Sequence, residues 1–241
     1  MKTLIILAGG LGTRLRAISS DLPKCLVPIG KHPFLNYKLI QAVNWGVSDV
    51  VLAVGHMGAL VEDYVLKSED RRLWGDLNIT VKHDGDVLKG TGGALRDSAL
   101  QCQSNTFLVT YGDNLLHISD SDIRTMFCWA TEEVVMTVNA ASFSNAEPNI
   151  TLLGTSFAVY EKAPTATYVD YGLFSLNKSI VKKMPSGPFG LSEWLVELSK
   201  ENPFRCHIVN FPFYEINDPV GLSKTQKFVE QQSEFFNIVP E

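Results

Sequence analysis

Residues 4–8 read Leu-Ile-Ile-Leu-Ala, an unbroken apolar run that stops at Gly9-Gly10. A run this short and this apolar is the pattern of a strand buried on both faces of a parallel sheet. A strand with one wet face would alternate apolar and polar residues instead. The chain after it changes period. From about Pro33 to Trp45 the apolar residues Phe34, Leu35, Leu39, Ile40 and Val43 recur at helical spacing, and Gly46 ends the helix. Asp49 to Val54 predicts the next buried strand, Gly58 to about Leu66 a helix, and Leu77 to Val81 a shorter strand. A glycine cluster, Gly90-Thr91-Gly92-Gly93, opens onto a helix over Ala94 to Leu100. Thr106 to Thr110 is a third strong strand, running straight into Tyr111-Gly112-Asp113. Strand and helix in alternation predict an α/β fold with a doubly wound sheet.

The second half is less regular. Val134 to Val138, Leu152 to Tyr160 and Tyr168 to Leu176 predict strands, Leu191 to Leu198 a helix, and Arg205 to Phe211 a final strand. No repeat, low-complexity tract or linker justifies cutting the chain, and 241 residues suit one large α/β domain. The expectation is a single Rossmann-like, doubly wound mixed sheet over residues 1–241.

Composition removes several function classes. The net charge is −5 with no block of like charges, so the basic face of a nucleic-acid binder is not expected. Cys25, Cys102, Cys128 and Cys206 are far apart and form no CxxC pair, which argues against a disulfide framework or a zinc site. The five histidines show no HxH or HExxH spacing. The first apolar run is too short for a signal peptide and leads into a glycine loop, and no later stretch is long enough to span a membrane. A cytoplasmic protein with no membrane partner is expected.

Ligands of open α/β sheets bind beyond the carboxyl ends of the strands. The first such loop runs Leu7-Ala8-Gly9-Gly10-Leu11-Gly12-Thr13-Arg14-Leu15, with Pro23-Lys24 downstream. Glycines let backbone approach a phosphate chain, and consecutive free N–H groups form an anion-binding nest. Arg14 can fork two phosphate oxygens, and Lys24 adds a mobile point charge. Two familiar glycine loops fit poorly: a dinucleotide fingerprint would need glycine where Leu15 stands, and GxxxxGK[ST] is absent. Asp113 at a strand end admits two readings, a phosphate-site carboxylate or a helix N-cap.

The run LAGGLGTRL…LPKCLVPIGKHPFL resembles the signature of the sugar-phosphate nucleotidyltransferase family, with a look closest to its heptose 1-phosphate guanylyltransferases. The resemblance implies a nucleotide-binding part over about 1–130 and a sugar-binding part over about 131–241. It implies that Leu7, Gly9, Gly10, Gly12, Thr13 and Arg14 hold the triphosphate, with Arg14, Lys24 and Asp113 catalytic. Gly90, Thr91 and Gly92 would contact the base. Glu161 and Lys162, followed by Pro164, resemble the family's Glu-Lys-Pro at the sugar phosphate, and Asp170-Tyr171-Gly172 its Asn-x-Gly at the sugar. Asp113 would bind Mg²⁺ with a second carboxylate. There the family reads Asp-Ile-Gly-Thr-Pro-Glu and this chain reads Glu215-Ile216-Asn217-Asp218-Pro219-Val220, so Glu215 is the expected ligand, with Asp218 the alternative. The implied partners are a nucleoside triphosphate and a sugar 1-phosphate, with a homo-oligomer left open. GTP and a manno-heptose 1-phosphate are the first choice, ahead of UTP, dTTP or CTP. Two rival expectations are a nucleotide-binding regulatory protein without turnover and a dinucleotide-dependent oxidoreductase, the latter opposed by Leu15.

Overall fold

Every side chain of β1 (Thr3–Leu7) is buried, on both faces at once. Leu4 and Ile6 enter one hydrophobic core, Ile5 and Leu7 a second one across the sheet. A computed structural model describes residues 2–10, 21–131, 133–143, 146–161, 163–232 and 236. A small hairpin of β2 (Pro28–Ile29) and β3 (His32–Pro33) leads into α1 (Phe34–Asn44), then β4 (Asp49–Val54), α2 (Gly58–Lys67) and β5 (Asn78–His83). Next come α3 (Gly90–Gln101), β6 (Thr106–Tyr111), the short β7 (Asn114–Leu115), α4 (Asp120–Trp129) and β8 (Val135–Ala140). The remainder is β9 (Ile150–Leu153), β10 (Phe157–Tyr160), β11 (Tyr168–Asn177), α5 (Lys178–Val181), α6 (Leu191–Glu201), β12 (Phe204–Val209), β13 (Tyr214–Glu215) and α7 (Pro219–Gln231).

Among the described residues nine strands form one sheet in the order β5-β4-β1-β6-β11-β8-β12-β10-β9. The first four are mutually parallel, β11 runs antiparallel to both β6 and β8, and β12 is parallel to β8. The sheet is therefore mixed. Helices cover both faces: α1, α2, α4 and α7 pack on the Leu4 side, α3, α5 and α6 on the Ile5 side. The chain steps outward from β1 to β4 to β5, then returns through α3 to place β6 on the other flank of β1. That reversal opens a crevice at the carboxyl ends of β1 and β6. Among the described residues no helix is long and apolar enough to cross a membrane.

Several sequence expectations need correction. Leu152 to Tyr160 is a hairpin of two strands, not one: Gly154 takes φ +68° and turns the chain between β9 and β10. The glycine cluster is not a loop before a helix, because α3 already begins at Gly90. Arg205 to Phe211 ends at Val209 and is not the final element, since β13 and α7 follow. Both α4 and α7 went unread, although each carries a start signal. Ser119 and Asp122 form a reciprocal capping box, and Asp218 caps α7 with Pro219 at its first position.

Candidate functional site

Loops leaving the carboxyl ends of β1, β4 and β6 meet through glycines. The N–H of Gly112 donates to the carbonyl of Leu7 at 2.9 Å, and a Cβ on Gly112 would stand 2.8 Å from that of Ala8. A Cβ on Gly9 would stand 3.1 Å from the backbone nitrogen of Gly55. Missing side chains let these backbones close up where the strand order reverses. Among the described residues nothing lies within 4 Å of where a Cβ on Gly10 would stand. Leu7 has its side chain in the core and its carbonyl accepts from Gly112 at the strand end. Gly12, Thr13 and Arg14, together with Lys162, lie outside the described residues.

Lys24 is set by its neighbours. A single 3₁₀ turn over Lys24–Leu26 follows Pro23, and Cys25 and Leu26 bury themselves in the core, which leaves Lys24 half-buried above them. Its ammonium donates to Asp113 Oδ2 at 2.6 Å and to Asn217 Oδ1. Asp113 sits in the turn that joins β6 to β7, and the N-cap reading is excluded because the next helix starts at Asp120 under Ser119.

Glu215 arrives from far along the chain. β13 pairs antiparallel with β7, Glu215 opposite Asn114, and the N–H of Ile216 donates to the carbonyl of Asp113 at 3.0 Å. Buried Ile216 anchors this short strand, and the Tyr214 ring stacks on Phe228 of α7 at 4.0 Å. Asn217 ties the group together, its amide nitrogen donating to Glu215 and its oxygen accepting from Lys24. Burial, and then the charge of Asp113, push the Glu215 carboxyl up to about 7, against the opposing pull of Lys24 and Asn217. Asp218 is occupied elsewhere: Oδ1 accepts from the N–H of Gly221 at 2.7 Å as the N-cap of α7.

The second half brings its own carboxylate to the same crevice. Asp170 in β11 accepts from the N–H of Gly172 at 2.8 Å and faces the Tyr111 hydroxyl at 3.5 Å. Burial pushes its carboxyl up to about 6, opposed by those two donors. The β11–β8 register shifts between Asp170 and Phe174, and Gly172 takes φ +88°, a left-handed value that favours glycine. Glu161 follows β10 and is joined to Asp170 by Asn149. The Asn149 carbonyl accepts from the N–H of Glu161 at 2.8 Å, and its side-chain oxygen accepts from the N–H of Asp170 at 2.9 Å.

Gly90, Thr91 and Gly92 form the amino end of α3, held against the segment before α6. The N–H of Gly92 donates to the carbonyl of Phe189, the Thr91 hydroxyl accepts from the N–H of Leu191 at 2.9 Å, and a Cβ on Gly92 would collide with the Phe189 ring. These glycines thus have a packing duty that sequence reading did not assign. Lys38, Tyr111, Asn114, Asn149 and Asn217 were also missed. Two of them had a signal: Asn217 its place inside the Glu215–Asp218 stretch, and Tyr111 its place in the Tyr111-Gly112-Asp113 run.

Asp113 and Glu215 are linked through Lys24 and Asn217 and each offers carboxylate oxygens, the donor type that Mg²⁺ takes. Mg²⁺ is commonly held by one or two carboxylates, with water and substrate phosphates completing its shell. The raised Glu215 carboxyl marks a place where a cation would relieve charge, so the residues present fit the ion. Among the described residues no group of three or more His, Cys, Asp or Glu forms a closed metal cage. A cavity of about 560 Å³ lined by Glu133, Trp194, Glu197 and Phe204 lies at the amino ends of β8 and β12, away from all these groups.

Residues 3–148 match the nucleotidyl transferase family model. The D-glycero-alpha-D-manno-heptose 1-phosphate guanylyltransferase of Aneurinibacillus thermoaerophilus is 34% identical over 123 residues, 51% of this chain and 50% of that protein. The Campylobacter jejuni protein of the same name is 28% identical over 220 residues, 89% of this chain and 94% of that one. The crystal structure of HddC from Yersinia pseudotuberculosis shares the fold, with a TM-score of 0.77 at 22% identity over 95% of this chain and 99% of that one.

Proposed function

The chain belongs to the nucleotidyl transferase family, and from that premise we propose that it joins a nucleoside triphosphate to a sugar 1-phosphate and releases pyrophosphate. We take GTP and a manno-heptose 1-phosphate as the substrates, on the similarity to the two heptose 1-phosphate guanylyltransferases. The observation that carries the reading is the cluster of Lys24, Asp113, Asn217 and Glu215 in the crevice of the sheet, with Asp170 across from it. The strand order β5-β4-β1-β6 supports a Rossmann-like reading of the first half. A sheet running unbroken through both halves supports one domain, and the four free cysteines suit the cytoplasm.

A phosphate oxygen of the sugar 1-phosphate attacks the α-phosphorus of the nucleotide. The bond from that phosphorus to the bridging oxygen breaks, and its electron pair leaves with pyrophosphate. The attacking phosphate is already ionised at neutral pH, so positioning and charge neutralisation carry the step and no strong general base is needed. Gly9 and Gly10 give the triphosphate close access to backbone, and Lys24 brings positive charge to the reacting phosphates. Arg14 in the same loop forks phosphate oxygens. Asp113 and Glu215 would hold Mg²⁺, which when bound neutralises charge on the phosphates. Glu161 and Lys162 receive the sugar phosphate, and Asp170 with Gly172 receives the sugar hydroxyls. A carboxylate at 170 can only accept hydrogen bonds, which selects sugars with a donor directed at it.

Incubation with GTP, UTP, CTP, dTTP or ATP against hexose and heptose 1-phosphates, with products identified by mass, tests the proposal. One strongly preferred nucleotide is expected, because unpaired base donors and acceptors are rejected sharply. A different base would overturn the guanylyl choice and keep the reaction. No nucleotide sugar from any pairing, with Mg²⁺ present and the protein folded, would leave the regulatory reading standing.

A further inference from the structure

Helix α1 carries a lysine where no solvent reaches. Lys38 is 1% exposed, and its ammonium donates to Thr110 Oγ1 at 3.0 Å and to Asn114 Oδ1 at 2.8 Å. Both acceptors are neutral. Among the described residues no carboxylate pairs with it directly, so the group lacks the partner that usually accompanies a buried charge. Burial pushes its pKa down to about 7, and the Asp113 carboxylate opposes that fall.

The two acceptors occupy special places. Thr110 is the last buried residue of β6 and Asn114 the first of β7, so they bracket Tyr111-Gly112-Asp113. They also reach the other half of the site. The Thr110 hydroxyl donates to the carbonyl of Gly172 at 2.8 Å, and the Asn114 amide lies 3.5 Å from the same oxygen. Gly172 in turn donates its N–H to Asp170. A polar spine therefore runs from Lys38 through the base of the Asp113 turn to the strand that presents Asp170. Stability alone does not call for a lysine here, since an enclosed ammonium without a carboxylate partner loses its hydration at a large cost.

We propose that Lys38 is a positioning residue, which pins both ends of the Asp113 turn from beneath and fixes it against Gly172 of β11. It touches neither substrate. It sets the distance between the carboxylate at the nucleotide side and the strand at the sugar side. This rests on the transferase reading given above.

Lys38→Met tests it, read beside the parent enzyme. The expected result is a melting temperature equal to or above the parent's, a kcat at least tenfold lower, and a KM for the nucleotide within twofold. Hydrogen exchange in the peptide covering residues 111–115 should speed at least tenfold, while β1 and β4 keep their protection. Thr110→Val, which removes the acceptor hydroxyl at similar volume, should give part of the same kcat loss, and the double variant should lose less than the product of the two. Unchanged exchange in residues 111–115, a kcat within twofold of the parent, or additive losses would each overturn the proposal. If Lys38→Met does not fold, Thr110→Val must show the loss of kcat and protection, and its failure to do so overturns the proposal as well. Product formation by the parent alone scores the transferase reading, whereas the exchange result scores Lys38 whether or not the parent turns over.

Discussion

The N–H of Ile216 donates to the carbonyl of Asp113 at 3.0 Å, which fastens the last short strand of the sequence to the turn that leaves β6. This one bond, with the β13–β7 ladder around it, brings Glu215 and Asn217 beside Asp113 and Lys24. The site is thereby closed by residues about a hundred positions apart, and each can be tested by itself.

Asp113→Asn keeps the size of the side chain and removes its charge. We expect turnover to fall by about a hundredfold or more, the scale seen when a key electrostatic group is lost. The melting temperature should change little, because the turn is held by backbone contacts to Leu7 and Ile216. Near-normal kcat in a folded variant would remove Asp113 from the reaction.

Glu215 and Asp218 should separate cleanly in a Mg²⁺ titration. Glu215→Gln should raise the Mg²⁺ concentration that gives half-maximal activity, because one carboxylate of the pair is gone. Asp218→Asn should leave that value alone, since Asn caps a helix about as well as Asp. Asp218→Ala should cost roughly 1 kcal/mol of stability through loss of the cap, again without altering Mg²⁺ dependence. The opposite pattern would make Asp218 the ligand.

Asp170 predicts a pH effect on stability. Its carboxyl is raised from 3.8 to about 6, so the folded protein holds this proton more tightly than the unfolded chain. The group's contribution is therefore complete below the unfolded value and is lost as pH rises through about 6. Asp170→Asn cannot ionise and keeps an acceptor for the N–H of Gly172. Its melting temperature should exceed the parent's above pH 7, and the difference should shrink towards pH 4.5. Parallel curves from pH 4.5 to 8 would show that burial does not hold the proton there.

Gly172 and Gly154 make a matched pair. Both take positive φ, +88° and +68°, but a Cβ on Gly172 would collide with the Asn114 amide while one on Gly154 meets nothing within 4 Å among the described residues. Gly172→Ala should cost on the order of 1–3 kcal/mol, with lost activity, as expected for strained backbone at a site. Gly154→Asn should cost a small fraction of that, because Asn tolerates the left-handed region and the site is open. Equal melting temperatures for the two variants would mean that β11 relaxes around the added methyl.

The first half of the fold was legible because its information is local. Leu4–Ala8, Val50–Val54 and Phe107–Val109 are apolar without interruption, and that pattern suffices for buried parallel strands. Leu152–Tyr160 was misread because two short strands and their turn form one mostly apolar stretch, and only the left-handed Gly154 divides them. Helix α7 has a weak apolar stripe, so its amino-terminal cap was the more telling signal. The family signature put Lys24 and Asp113 on the list of site residues, and the fold places them 2.6 Å apart. Arg14, Gly12, Thr13 and Lys162, named on the same signature, fall outside the described residues.

The amino-acid sequence by itself determined the strand–helix alternation, the glycine loops at the strand ends and the family, because periodicity and short motifs are properties of neighbouring residues. Only the tertiary structure decided between Glu215 and Asp218 as the neighbour of Asp113, made Asn149 the link from Glu161 to Asp170, and sent the Lys38 ammonium beneath the Asp113 turn. Those relationships join positions 12 to about a hundred residues apart through strand pairing and helix packing. A buried lysine or asparagine reads in sequence like any solvated one until the fold removes the water around it and supplies its partners.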